Sequence, residues 1–279
     1  MTGSETSKKA DPMCPDNFRI DRTPGQTAYV RRDVTAEQLA ALLAHPGEAL
    51  KSSPKAEVRR VGHWVIKESR TGGAVSLTLK RGRHRRAWLA ALHLRRNQVC
   101  VPEPLAFVEK TRLGLVTGHL HVFQYLAGFR DVEQFALALA KGGAGPDTLR
   151  LFLEHLADAV KSLERAGAYH ADLSGKNILT RDGAAFYFID LDAVIVGEEY
   201  EAGRRMKNHV QLYDSFCDLF SDTLMVPFIR RMLPESEDPR MWLPRVRQEQ
   251  AERRARIEAK WEKQGVRPRR IRDELPPAP

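Results

Sequence analysis

Cysteine is scarce: Cys14, Cys100 and Cys217 are three residues in 279, scattered and with no C-x-x-C among them. So sparse and odd a set excludes a disulfide framework and a Cys/His zinc site, and it points to a reducing compartment. Long apolar runs are missing too, since no stretch approaches the roughly 18 residues of a membrane-spanning helix. The polar opening M-T-G-S-E-T-S-K-K-A-D-P offers no apolar signal core. No internal repeat is visible. These absences predict a cytoplasmic protein, bound to membrane no more than peripherally, at the inner face.

What is present is ordinary in one respect and unusual in another. Hydrophobic residues make up 42%, normal for a globular chain, over a length that suits one two-lobed domain or two small ones. The 45 Lys and Arg outnumber the 36 Asp and Glu, for a formal net charge of +9. Such a balance attracts anionic partners: nucleotide, nucleic acid or an acidic membrane face. No nucleic-acid recognition motif accompanies it, so no specific nucleic acid is expected.

The most informative stretch runs from Tyr169 to Val194: Y-H-A-D-L-S-G-K-N-I-L-T-R-D-G-A-A-F-Y-F-I-D-L-D-A-V. Asp and Asn in loops are ordinarily turn formers. Here Asp172 precedes Asn177 by five residues, with His170, Leu173 and the apolar pair Ile178-Leu179 also in place. Arg181-Asp182-Gly183 then reads as a hairpin turn, and Phe186–Ile189 as a strand that delivers Asp190. Phosphoryl transfer from a nucleotide asks for a base to orient the attacking hydroxyl and for oxygen ligands to magnesium. Asp172 suits the base, and Asn177 and Asp190 suit the metal. The pattern matches the kinase catalytic loop H-x-D-L-x-x-x-N in full. His170 reads as a buried brace for the loop. Lys176 is open between a phosphate contact and a solvent-facing side chain. His119 and His121 alternate along one strand, but no third ligand accompanies them, so no metal is assigned there.

The rest of the chain supplies context. Residues 1 to about 28 read as a mobile tail, and Thr35-Ala36-Glu37-Gln38 as the capping box of a short helix. Strand patterns follow in E-V-R-R-V from Glu57 and in H-W-V-I-K-E-S, then a basic helix from Lys80 to Arg96 with one apolar stripe at Trp88, Leu89 and Leu92. Two further strands end near Ala127-Gly128. Helical patterns then lead to Gly167, and more follow after Asp190. The expected architecture is α+β, a bilobal protein-kinase-like fold with a small strand-rich N-lobe and a helical C-lobe. The expected boundaries are a tail and short helix over 1–45, the N-lobe over 46–127, the C-lobe with the catalytic loop over 128–235, and a basic helix and tail over 236–279. Nucleotide is expected in the cleft between the lobes.

Lys67 closes the apolar run Trp64-Val65-Ile66, where a kinase places the lysine that reaches the nucleotide phosphates. The plain alternative is a lysine guarding an edge strand, and Lys80 is the competing candidate. Gln124 and Leu126, in the segment F-Q-Y-L-A-G, are placed to pair with adenine through their backbone. Two kinase features are missing. No acidic residue lies between Arg83 and Gln98 to pair with the strand lysine, and Ser52-Ser53-Pro54 stands where a G-x-G-x-x-G loop is expected.

From about Lys51 to Cys217 the chain resembles the lipopolysaccharide core kinases, which phosphorylate heptose or Kdo. The resemblance rests on H-A-D-L-S-G-K-N-I-L, I-D-L-D, V-I-K followed by Gly72-Gly73, R-R-A-W, V-C-V-P-E-P-L-A and R-R-M-K-N-H-V-Q-L-Y-D-S-F. It implies an ATP- and Mg2+-dependent kinase acting on a sugar hydroxyl of an envelope glycolipid, with Asp172 as base, Asn177 and Asp190 on the metal and Lys67 on the phosphates. Asp192 matches a second acidic residue of the family, without an assigned role. Two other readings share the motif: a protein or small-molecule kinase of the same fold, and a nucleotide-binding pseudokinase. At the C-terminus, Trp242, Leu243 and Val246 suit a helix packed on the body of the protein. Glu249/Arg253 and Glu252/Arg256 are spaced to pair along an exposed helix, and the alternative to simple packing is a basic face held at anionic lipid headgroups.

Overall fold

The computed structural model describes residues 11–53, 56–69, 73–198 and 200–265. Four expectations fall partly or wholly outside that range: the first ten residues of the tail, Pro54 of the 52–54 turn, Gly72, and the end of the C-terminal tail. The chain divides into two compact units, Met1–Leu92 with Pro102–Ala127, and His93–Val101 with Gly128–Pro279.

Unit 1 carries β1 (Phe18–Thr23), β2 (Gln26–Arg31), α1 (Ala36–Ala44), β3 (Glu48–Ser52), β4 (Ala56–Val61), β5 (Trp64–Ser69), α2 (Gly73–Leu79), most of α3 (Arg81–Arg96), β6 (Pro104–Arg112) and β7 (Leu115–Gln124). All seven strands form one antiparallel sheet, ordered β1-β2-β6-β7-β5-β4-β3. Leu39 of α1 packs on one set of sheet residues, among them Val30, Ile66, Val108, Leu120 and Val122. Trp88 of α3 packs on another, with Phe18, Tyr29 and Phe107. The capping box forms as the sequence suggests: Thr35 accepts from the Gln38 amide, and the Gln38 side chain accepts from the Thr35 amide.

The expected tail is corrected here. Residues 18–31 are a hairpin of the main sheet, and Met13 accepts a hydrogen bond from Trp88 Nε1 at 2.9 Å. Polar composition hid this, because in β1 only Phe18 is fully buried, while Arg19 and Asp21 are half-buried and Arg22 is exposed. The turn is built from Pro24-Gly25, where Gly25 takes φ +78°, a value that suits the third residue of a type II turn. β3 and α2 were also not expected.

Unit 2 carries β8 (Arg130–Asp131), α4 (Val132–Lys141), α5 (Pro146–Arg165), β9 (Ala168–His170), β10 (Ile178–Thr180), β11 (Phe186–Phe188), β12 (Val194–Val196), α6 (Ala202–Phe216), α7 (Asp222–Met232) and α8 (Pro239–Lys263). Its strands make two small antiparallel sheets, β11-β10-β8 and β12-β9. α5 buries a stripe of Phe152, Leu153, Leu156, Ala157, Val160 and Leu163, the amphipathic spacing of a helix packed along one side. α6 is different: from Met206 to Phe216 it is buried nearly all round.

α8 packs through Trp242, Val246 and Gln250. The expected pairing along this helix does not form as drawn. Arg253 and Arg254 pair with Asp214 of α6, Arg254 also with Asp218 at 2.9 Å, and Arg247 with Asp222. Arg256 donates to the Glu252 carbonyl at 3.3 Å rather than to its carboxylate. Helix packing brought acidic partners from α6 and α7 within reach, and a bidentate Arg–carboxylate contact between packed helices outweighs a solvated i,i+4 pair. Among the described residues, no helix is long and apolar enough to cross a membrane.

Candidate active site

The loop between β9 and β10 carries Asp172 and Asn177, and a single 3-10 turn over Gly175–Asn177 sets their spacing. Asn177 Nδ2 donates to the Asp172 carbonyl at 2.8 Å and to its carboxylate at 3.1 Å. Its amide nitrogen thus faces the aspartate, which leaves the amide oxygen as the atom free to serve a cation. The β10–β11 hairpin pairs Ile178 with Phe188, and the Ile189 amide donates to the Asn177 carbonyl at 2.9 Å. Asp190 therefore follows directly from a residue tied to Asn177. Asp190 is left-handed, at φ +55° and ψ +49°. That conformation costs most side chains about 1–2 kcal/mol, and Asp is among the few that visit it. Asp172 and Asp190 are both exposed.

His170 is fully buried and spans the two segments. Its Nε2 donates to the Ile189 carbonyl at 2.9 Å, which leaves Nδ1 to accept from the Asp172 amide at 3.2 Å. Burial lowers its pKa despite the Ile189 contact and the nearby aspartates, so the neutral tautomer with both roles is the stable one. Lys176 Nζ lies 3.9 Å from Glu133 of α4. Burial raises the Glu133 pKa, against the hydrogen bond from Ser215 and the charge of Lys176. Gly175 is wedged between these groups: a Cβ there would lie 2.6 Å from Glu133 Cγ and 3.2 Å from Ser215 Cβ.

α6 supplies residues that sequence reading missed. Asn208 Nδ2 donates to the His170 carbonyl at 2.8 Å, and Ser215 Oγ accepts from the Gly175 amide at 2.9 Å. Gln211 contacts the loop between them. The spacing was visible, since Asn208, Gln211 and Ser215 stand at i, i+3 and i+7 on one side of a helix, but only the structure shows that side to be buried, where polar groups need partners.

In unit 1, Lys67 lies inside β5, opposite His121 of β7 and Val58 of β4. β5 is therefore an interior strand, and the edge-guard explanation for Lys67 does not hold. Lys80 lies on no strand; it joins α2 to α3. The Gln124 amide already donates to the Glu103 carbonyl at 2.8 Å, and the Tyr125 amide to His63 at 2.7 Å. An adenine contact at Gln124 would thus fall to its carbonyl alone. α3 carries no acidic residue, as the sequence showed.

The model of the lipopolysaccharide kinase (Kdo/WaaP) family matches residues 55–223, more than half of the chain. The chain belongs to the lipopolysaccharide kinase (Kdo/WaaP) family. This is a kinase family, so the protein is a phosphotransferase. Among solved structures, WaaP in complex with acyl carrier protein aligns with a TM-score of 0.56 and 21% identity, covering 80% of this chain and 91% of that chain. At that identity the likeness establishes a shared fold. A glucosamine kinase solved with glucosamine, ADP and inorganic phosphate aligns with a TM-score of 0.41 and 15% identity, over 86% of this chain and 82% of that chain. That similarity is too loose to carry an argument. No curated protein matches the chain in sequence. The match covers every candidate named above, from Lys67 to Ser215.

Proposed function

We propose that this lipopolysaccharide-family kinase transfers phosphate from ATP, with Mg2+, to a sugar hydroxyl of an envelope glycolipid, a lipopolysaccharide core-like acceptor. The observation that carries the reading is the Asn177 contact to Asp172, which joins a base and a metal-ligand candidate in one small constellation. The donor set fits magnesium: the exposed Asp190 carboxylate and the Asn177 amide oxygen are hard oxygen ligands. Asn177 and Asp190 would hold the ion, which when bound neutralises charge on the transferring phosphoryl group. Asp172 accepts the proton of the acceptor hydroxyl, and the neutral His170 keeps the Asp172 backbone in place. Lys67 is proposed for the nucleotide phosphates, and Gln124 and Leu126 for adenine. Unit 1 is read as the strand-rich lobe and unit 2 as the helical lobe, with electrostatic attachment to the inner membrane face through exposed basic residues.

The test is direct. Purified protein with labelled ATP and Mg2+ should label extracted lipopolysaccharide, and should leave a generic protein substrate and a water control near background. Label on the protein substrate alone would overturn the acceptor class.

A further inference from the structure

Asp172 lies on a loop without regular structure of its own, yet both peptide groups flanking it are held by one side chain. Gln211 of α6 donates from Nε2 to the Ala171 carbonyl at 3.1 Å and accepts at Oε1 from the Leu173 amide at 2.9 Å. A primary amide can donate and accept at once, so Gln211 meets the loop as an adjacent strand would, one bond on each side of Asp172. The orientation of the amide is set from behind, because Asn208 Nδ2 donates to Gln211 Oε1 at 3.2 Å. Gln211 is 5% exposed, so bulk water does not stand in for either bond. Its neighbours on the helix act elsewhere: Asn208 holds the peptide of His170 and Ser215 that of Gly175.

We infer that Gln211 is the positioning residue of the catalytic base. It fixes the two peptide planes around Asp172, and so keeps an exposed carboxylate where Asn177 Nδ2 reaches it. The inference rests on the reading of Asp172 as the base. A side chain that only stabilised unit 2 would affect folding and leave the chemical step alone. A positioning residue acts through Asp172, and its effect disappears when Asp172 is gone.

A double-mutant cycle separates these cases. Transfer from labelled ATP and Mg2+ to extracted lipopolysaccharide is measured for the full chain, Gln211→Met, Asp172→Asn and the double variant. ATP KM and the urea midpoint are recorded beside it. Met keeps the length of the side chain and removes both hydrogen bonds. A displacement of the order of 1 Å at a reacting group can cost about 100-fold, so Gln211→Met should lower kcat by about 10- to 100-fold with ATP KM nearly unchanged. In the Asp172→Asn background the same substitution should cost less than about 3-fold. An equal penalty in both backgrounds overturns the inference. Wild-type transfer by Asp172→Asn alone overturns the base assignment, and this inference with it, and is read without any Gln211 variant. Should Gln211→Met not fold, Gln211→Leu removes both hydrogen bonds with a shorter side chain and is read in the same wild-type and Asp172→Asn backgrounds. An equal kcat penalty in both backgrounds overturns the inference.

Discussion

Unit 1 buries a carboxylate and surrounds it with cations, whereas unit 2 leaves Asp172 and Asp190 exposed and buries neutral amides behind them. Glu109 of β6 is 1% exposed. Arg81 and Arg85 of α3 both reach it, Arg85 at 3.1 Å, and His119 Nε2 stands 3.5 Å away. Burial by itself would raise its pKa; the hydrogen-bonding partners outweigh burial and bring it down to about 2. At 3.5 Å the histidine makes at best a long hydrogen bond, so the two arginines carry most of that effect. Behind the Asp172 loop of unit 2, the buried Asn208, Gln211 and Ser215 each bond the loop backbone. A charge met by charges is held in one protonation state, which suits structure. If Asp172 takes up a proton and Asp190 meets a metal, as proposed, such carboxylates are better left at the surface, with the Asp172 backbone fixed by uncharged groups, Gln211 and His170.

That contrast breaks most visibly in activity. Asp190→Ala should abolish magnesium-dependent turnover, because the proposed carboxylate ligand is lost. Asp172→Ala should lower transfer by about two to four orders of magnitude, the scale of a positioned base, while ATP binding and the urea midpoint stay near wild type. If Asp172→Ala instead unfolds the protein and spares transfer per folded molecule, the contrast between the units is false.

The next effect separates two lysines of unit 1. Lys67→Ala should weaken ATP use strongly, and Lys80→Ala little, because Lys67 lies inside the sheet and Lys80 between two helices. Equal losses in steady-state kinetics would remove Lys67 from the phosphate role.

For the buried carboxylate the expected loss is in stability. Glu109→Gln should cost about 2–4 kcal/mol, somewhat less than a fully buried pair because Arg81 and Arg85 are partly solvated. The Glu109 pKa is about 2 in the fold against 4.5 for the free group, so its stabilising contribution is complete above pH 4.5 and is lost as pH falls toward 2. Urea titrations of wild type across that range should lose stability that Glu109→Gln never had. Parallel curves would show that the arginines do not hold the carboxylate charged.

His209 of α6 titrates with the same sign in a higher pH window. Burial brings its pKa from 6.5 to about 4. The unfolded chain therefore binds the proton first, and stability falls as pH drops from 6.5 toward 4. The loss should be on the order of 1–2 kcal/mol between pH 6.5 and 5, and His209→Gln should flatten it. The smallest effect belongs to single surface cations. Lys260→Gln on the exposed side of α8 should lower binding to anionic vesicles by about 1 kcal/mol at low salt. No co-sedimentation by wild type would remove the membrane attachment altogether.

What could be read from the sequence was local. The five-residue spacing of Asp172 and Asn177, the hairpin that leads to Asp190, and the capping box at Thr35 each depend on a few consecutive residues whose turn chemistry or period allows few geometries. The roles of Asp172, Asn177, Asp190 and Lys67 are still proposals; a loop for Asp172 and Asn177, a hairpin leading to Asp190 and a strand carrying Lys67 followed from pattern, while the 3-10 turn at Asn177 did not. Tertiary structure decided the rest, because it chose which surfaces meet. Residues 18–31 looked like a tail until the sheet supplied β6 as a partner. Arg253 looked paired with Glu249 until packing put Asp214 beside it. Gln211 lies 38 residues beyond Leu173. Only the packing of α6 under the loop makes its amide a neighbour of Asp172, since a hydrogen bond over that separation is written in the fold and not in the spacing.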